Sequence, residues 1–206
     1  MAGKAQKAAR DPIEAGLEPS PVGRVIAAHR REQGWTLAEV SRRTGVSISA
    51  LSKIENGHSR PAYDVMTRLA AGLDLDFAAL FGTASPQSFS GAVRAITRAG
   101  EGKTFRTGMG AYEVLAGELA AKSLTPMVIA IPPSSPGRAP VRSAHDGEEF
   151  VYVLAGEVVF TMAPYSPAVL GTGDSVYFDG TCEHGFCSTG PGPARILSVV
   201  FAPRRG

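Results

Sequence analysis

Three side chains able to hold a transition metal recur at spacings that let them converge: His145, Glu149 and His184. Residues four apart on a strand face the same way. His145 and Glu149, in the run HDGEE, can therefore project together, with a bend at Gly147. His184 follows the turn GTGDS and is predicted to lie on a strand that brings its imidazole beside them. Two imidazoles and one carboxylate form a ligand set with open coordination positions. It suits Fe(II) and also holds Mn, Ni, Co or Zn. One divalent metal ion of that group is the expected cofactor; the alternative for the same residues is a hydrogen-bonded barrel interior without metal. Tyr112 and Tyr177 are the candidates for lining the ligand pocket. Cys182 and Cys187 flank His184, but strand alternation turns Cys187 away from the other two, so both thiols are assigned to packing.

A second group of side chains suits nucleic acid. In TLAEVSRRTGVSISALSKIENG (residues 36–57), a helix, a tight turn at Gly45 and a second helix are predicted. The second helix would bring Ser47, Ile48, Ser49, Ser52 and Lys53 to base edges in the major groove. Donors around it would position the backbone: Thr36, Arg42, Arg43, Asn56, His58, Ser59 and Arg60. No catalytic residue is assigned.

The elements that must position these groups change character along the chain. Residues 1–21 mix charge with Ala, Gly and Pro and read as a flexible arm. Apolar residues at helical spacing begin at Val22, and Gly34 ends that helix. Thr36 and Glu39 form a capping box. Ser47 caps the helix carrying Leu51 and Ile54, Pro61 opens a fourth helix, and Phe77–Phe81 is expected as a short fifth. Residues 83–92 read as a linker. From residue 93 to 206 the period shortens to that of strands: VRAITR, AYEVLAGE, PMVIAIPP, EFVYVLAGEVVFTMA, DSVYFDG and ARILSVVFAP. Many short strands imply a sandwich or barrel. The expected fold is an α + β two-domain chain: a five-helix bundle over 22–82 and a β-barrel over 93–206.

Composition excludes some classes. The chain has 206 residues and a net charge of only +2, too little to attract DNA as a whole-molecule field. Residues 22–82 hold eight Lys/Arg against six Asp/Glu, and residues 83–206 hold ten of each. No apolar run approaches the ~18–20 residues needed to span a bilayer. No secretory signal is visible, and two cysteines make no disulfide framework. A cytoplasmic location without membrane partners is expected.

The run AEVSRRTGVSISALSKIENG resembles the helix-turn-helix domain of XRE/Cro-like (lambda-repressor-like) transcriptional regulators over about residues 22–82. One departure is Leu37, where many members place Gln. The run HDGEEFVYVLAGE resembles the cupin family, a double-stranded β-helix, over about 93–203. His145, Glu149 and Gly156 match its first motif, and Gly173 and His184 its second. Ser143 stands where the first motif has a further His, and Ser188 where Asn is common, which leaves three protein ligands. The combination implies a sequence-specific DNA-binding regulator, not an enzyme. Its partners would be a double-stranded operator, a small-molecule effector sensed by the cupin domain, and a second copy in a homodimer. The alternative is an Fe(II)-dependent oxygenase or epoxidase of the helix-turn-helix–cupin type, with His145, Glu149 and His184 as ligands.

Overall fold

The computed structural model describes residues 21–82, 87–88, 91–133 and 141–201. Residues 1–20 of the arm expected at 1–21, most of the linker and the end of the chain lie outside them. Among the described residues, four α-helices come first: α1 (Val22–Glu32), α2 (Leu37–Thr44), α3 (Ile48–Glu55) and α4 (Tyr63–Gly72). In place of the expected fifth helix, Phe77–Phe81 forms a single 3₁₀ turn. Asp76 caps it through Ala78 N–H, and Gly82 stops it in the left-handed region. Five residues closed at both ends leave no room for an α-helical turn to propagate. Pro61 precedes α4 rather than starting it, with Ala62 as the N-cap.

Local chemistry sets the helix ends. Thr36 accepts from Glu39 N–H at 3.1 Å and Ser47 from Ala50 N–H at 3.3 Å, satisfying donors that helix starts leave free. Gly45 ends α2 at φ 68, a conformation that costs a residue with a Cβ. Arg30 locks α1 to α3 through a forked pair with Glu55, at 2.8 and 2.9 Å. The Val22, Ile26, Val40, Leu51, Ile54, Met66 and Leu69 side chains fill the space between the helices.

Among the described residues, eleven strands follow or flank the linker: β1 (Gln87–Ser88), β2 (Lys103–Arg106), β3 (Ala111–Val114), β4 (Leu119–Ala120), β5 (Leu124–Ile131), β6 (Glu148–Ala155), β7 (Glu157–Met162), β8 (Ala168–Gly171), β9 (Ser175–Asp179), β10 (His184–Ser188) and β11 (Ala194–Phe201). They form a six-stranded sheet ordered β2-β3-β5-β11-β6-β9 and a three-stranded sheet ordered β10-β7-β8. A short parallel pair, β1-β4, draws part of the expected linker into a sheet. Alternate residues of β6 and β11 are buried, which identifies the inward face: Glu149, Val151 and Val153, and Ile196, Ser198 and Val200. Against expectation, Val93–Arg98 is not a strand. It alternates correctly but has no neighbouring ladder; Thr97 Oγ1 instead accepts from Ala116 N–H. The strands β2 and β8 are additions to the expected set, because KTFR and AVLG are too short or too mixed to carry a period, whereas β10 is the strand expected at His184.

One apolar core runs through both parts. Phe81 stacks on Phe105 at 4.6 Å, and Phe105 on Tyr112 at 4.6 Å. Asp76 reaches across to accept from Ala121 N–H at 3.0 Å. The end of the helical bundle is thereby seated against the barrel.

Candidate functional site

Inside the barrel, His145, Glu149 and His184 come together with ligand atoms all within 4.8 Å of one another. Each arrives by a different route. Glu149 is the second residue of β6 and points inward. His145 is not on a strand, contrary to the reading from its spacing, but on the loop before β6, pinned by its N–H to Gly180 C=O at 2.8 Å. Gly147 bends that loop at φ 93. His184 opens β10, whose register with β7 fixes its depth. Gly180 is needed for space: a Cβ there would stand 2.5 Å from His145 Cε1.

The surroundings aim the donor atoms. His145 Nδ1 faces Asp146 C=O at 3.3 Å, and His184 Nδ1 faces Cys182 C=O at 2.9 Å. Each Nδ1 donating to its carbonyl frees Nε2 as a lone-pair donor, the arrangement that orients metal-binding imidazoles. Ser198 Oγ donates to Glu149 Oε1 at 2.6 Å, leaving Oε2 turned to His145 Nε2 at 3.0 Å and His184 Nε2 at 3.4 Å. Without metal, protons hold this cluster together. Burial favours neutral Glu149, but hydrogen bonds from His145 and His184, the His145 charge and the Ser198 hydrogen bond outweigh it, pulling the carboxyl down to about 2. Burial also opposes charge on His145, yet the hydrogen bond and charge of Glu149 raise its pKa. Two neutral nitrogens and an anionic oxygen, with no Lys or Arg lining the cluster among the described residues, fit a divalent ion; metal entry would displace those protons.

The cavity at this cluster has a volume of about 10 Å³, and its lining includes Tyr63, Tyr112, Met109, Met127, Phe186 and Ser198. Tyr112 thus lies where the pocket is expected. Tyr177 does not: it is 64% exposed and bonds Glu148 on the outer face. Alternation along β9 explains the correction, since Phe178, the next residue, takes the inward position. Sequence reasoning does not reach Tyr63, Ser198 or Gly180. Ser198 meets the cluster from 49 residues away and Tyr63 from the other domain, and neither distance leaves a local signal.

On the helical domain, Ser47, Ile48, Ser49 and Lys53 are exposed along α3, and Ser52 is half-buried. Ser47 and Ser49 hydroxyls lie 3.2 Å apart. Asn56 Nδ2 donates to Ser52 C=O at 2.8 Å. Thr36, His58, Ser59 and Arg60 surround this face in solvent. Arg42 and Arg43 are exposed but both pair with Glu39, at 2.7 and 2.9 Å, and Arg43 also covers the Trp35 ring.

Comparison with known proteins defines the two halves. A helix-turn-helix family model matches residues 26–80, and a cupin domain model matches residues 128–200. The chain is a helix-turn-helix domain joined to a cupin domain. It is 34% identical over 61 residues to the HTH-type transcriptional regulator SlrR of Bacillus subtilis (strain 168), covering 29% of this chain and 40% of that protein. It is 32% identical over 94 residues to the (S)-2-hydroxypropylphosphonic acid epoxidase of Streptomyces wedmorensis, covering 44% of this chain and 48% of that protein. The matches thus span less than half of either relative. A crystal structure of an HTH_3 family transcriptional regulator from Vibrio cholerae superposes with a TM-score of 0.59 at 20% identity, over 94% of this chain and 100% of that one, and shows the shared fold. The expectation that the chain is not an enzyme is corrected by the likeness to an epoxidase together with the assembled His145–Glu149–His184 cluster. The helix-turn-helix match and the buried three-residue cluster occur in one chain. Among the described residues no helix is long and apolar enough to cross a membrane.

Proposed function

We propose that the cupin domain is a mononuclear Fe(II) centre of the oxygenase type, carried on a DNA-binding head. The observation that supports this reading most directly is the buried convergence of two imidazole nitrogens and one carboxylate oxygen within 4.8 Å. Bound by these three ligands, Fe(II) supplies redox and dioxygen chemistry at positions the protein leaves open. The chain's own residues do the remaining work. Ser198 and the carbonyls of Asp146 and Cys182 hold the donor atoms in register. Met109, Met127, Ile129 and Phe186 keep bulk water out. Among the described residues, the lining includes no Lys or Arg. Fe(II) held by one carboxylate would keep a single net positive charge, which cannot by itself offset a dianion, and burying the remaining charge costs several kcal/mol or more. The substrate we infer is therefore small and neutral, unlike the phosphonic acid in the relative's name. Anaerobic loading with Fe(II), followed by O₂ uptake with neutral and with phosphonate candidates, tests this. Fe(II)-dependent uptake that His184→Ala abolishes is expected; equal uptake by wild type and His184→Ala would refute it.

A second reading has its own support in the open face of α3. We infer that Ser49 and Lys53 read an operator in the cytoplasm and that the barrel's occupant serves as the effector. A homodimer would present two such heads, and one small module gives few base contacts by itself. Leu124, Phe150, Tyr152, Tyr177 and Phe201 are exposed on the six-stranded sheet and offer the apolar face for pairing. Mobility shifts on the protein's own promoter and light-scattering mass measure these two points. A monomeric mass, or no sequence-preferring shift at moderate salt, would remove them.

A further inference from the structure

The first residue of α4 lies in the packing of both domains. Tyr63 belongs to the helical bundle, yet its ring stands 5.3 Å from the His145 ring, edge-on at 79°. It lies parallel to Tyr112 at 6.0 Å and contacts Phe77 at 5.3 Å. It is 6% exposed and lines the triad cavity. That cavity, at about 10 Å³, has room for one water. A substrate-sized occupant beside the three ligands therefore competes with Tyr63 for space.

The lining residues differ in how firmly they are held. Tyr112, Met127, Ile129, Glu149, His184, Phe186 and Ser198 sit on strands whose backbones are tied into ladders. Moving the backbone of any of them breaks sheet hydrogen bonds. Tyr63 sits on a helix of the other domain and meets the barrel through ring contacts. Met109, Ser143 and His145 line the cavity from outside the strands, but Ser143 and His145 are bonded through their backbones to His184 and Gly180, and Met109 to Thr107 and Tyr112. Withdrawal of α4 is the route that leaves these barrel bonds intact. The same helix bears on the helix-turn-helix. Arg68 Nη1 donates to Gly45 C=O, in the turn between α2 and α3, at 3.3 Å. Gly72 is pressed so closely on α2 that a Cβ would stand 2.6 Å from Arg43 O.

We propose that Tyr63 is the size-selecting stopper of the triad cavity: an occupant larger than water expels it, shifts α4, and so moves the turn that positions the reading helix. The inference rests on the reading of the triad as a ligand-binding centre. It requires the occupant to bind the open arrangement more tightly than the closed one. Linkage then makes the effect reciprocal, so that DNA favouring one placement of α4 changes access to the cavity.

Two measurements on the full chain decide it. In metal-free protein, diethylpyrocarbonate labelling of His145 is followed by peptide mass spectrometry, with exposed His58 as the internal reference. Opening the stopper removes the penalty of a rarely populated open state. Tyr63→Ala and Tyr63→Leu are expected to speed His145 labelling at least about tenfold over wild type, with Tyr63→Phe unchanged. Equal rates in wild type and both truncations overturn the stopper. So does a parallel rise in Cys187 thiol reactivity, which would mean that the barrel itself had loosened. In Co(II)-loaded protein, azide is titrated by the visible spectrum. Tighter azide binding by about tenfold in Tyr63→Leu is expected, with faster hydrogen exchange across 63–72 of wild type once azide binds. Failure of every variant to take Co(II) refutes the metal reading alone, and the labelling experiment still decides the stopper.

Discussion

Along α3, Ser49 and Lys53 stand in solvent, whereas in the barrel His145, Glu149 and His184 are 6%, 5% and 2% exposed. The contrast teaches how each site stands when empty. A polar face in water keeps its hydrogen bonds whether or not a duplex is present, so it can wait for a partner without strain. A buried carboxylate between two imidazoles has lost its water and must be compensated by a proton or a cation. On the proposed reading α3 would gain its energy on binding, mostly from phosphates and base edges. In the barrel, folding itself brings the donors together, against the desolvation that opposes them. One site is open and locally encoded; the other is closed and assembled from three elements.

Breaking the closed site should give the largest effect. Glu149→Ala removes the only anion among the ligands, and metal affinity is expected to fall by more than about 100-fold in equilibrium dialysis, beyond the roughly 10–100-fold cost of losing a residue that only orients a ligand. Ser198→Ala removes such an orienting hydrogen bond. It should weaken metal binding by about 10–100-fold while leaving far-ultraviolet circular dichroism unchanged. An unaltered affinity would mean that Glu149 needs no help from β11.

The open site should respond on a smaller scale and through a different observable. Ser49→Ala with Lys53→Ala is expected to weaken operator binding by about 1–3 kcal/mol for each side chain that reads a base, and to flatten the salt dependence. Metal affinity should stay the same, and a change there would join the two sites more tightly than the stopper requires.

Acid and base sharpen the comparison next. The metal-free cluster has a window worked out from two groups. Glu149, held low, contributes stability above the ordinary carboxyl value of 4.5 and loses it as pH falls toward about 2. His145, held high, contributes fully below 6.5 and loses it as pH rises through its folded value. The gap in Tm between wild type and Glu149→Gln should be widest from pH 4.5 to 6.5 and narrow on either side. A pH-independent gap would contradict the proton-held cluster. The smallest effect is expected from Ser47→Ala, about 1 kcal/mol of stability from a missing cap, read by denaturant melting.

Legibility in the sequence follows the same division. The helix-turn-helix can be read because its signals are local: Thr36 with Glu39, Gly45, Ser47, and Leu51 with Ile54 all lie within a turn or two of each other. In the barrel, His145 and Glu149 can be paired from the sequence through the bend at Gly147, but not through strand alternation, since His145 lies on the loop before β6. The choice of Tyr177 fails because alternation can be read only once the register is known, and one step of register puts Phe178 inside instead. Val93–Arg98 shows that alternation without a neighbour makes no strand. Ser198, Gly180 and Tyr63 are invisible because each acts through a neighbour that only the closed fold supplies.

The most direct test of the proposed metal centre is the metal content of chelator-free protein after anaerobic Fe(II) loading and desalting, measured by elemental analysis. The account predicts about one Fe per wild-type chain and almost none in His184→Ala, as expected for a three-ligand site reduced to two. Wild-type protein that retains no metal, or His184→Ala that retains as much, would contradict it.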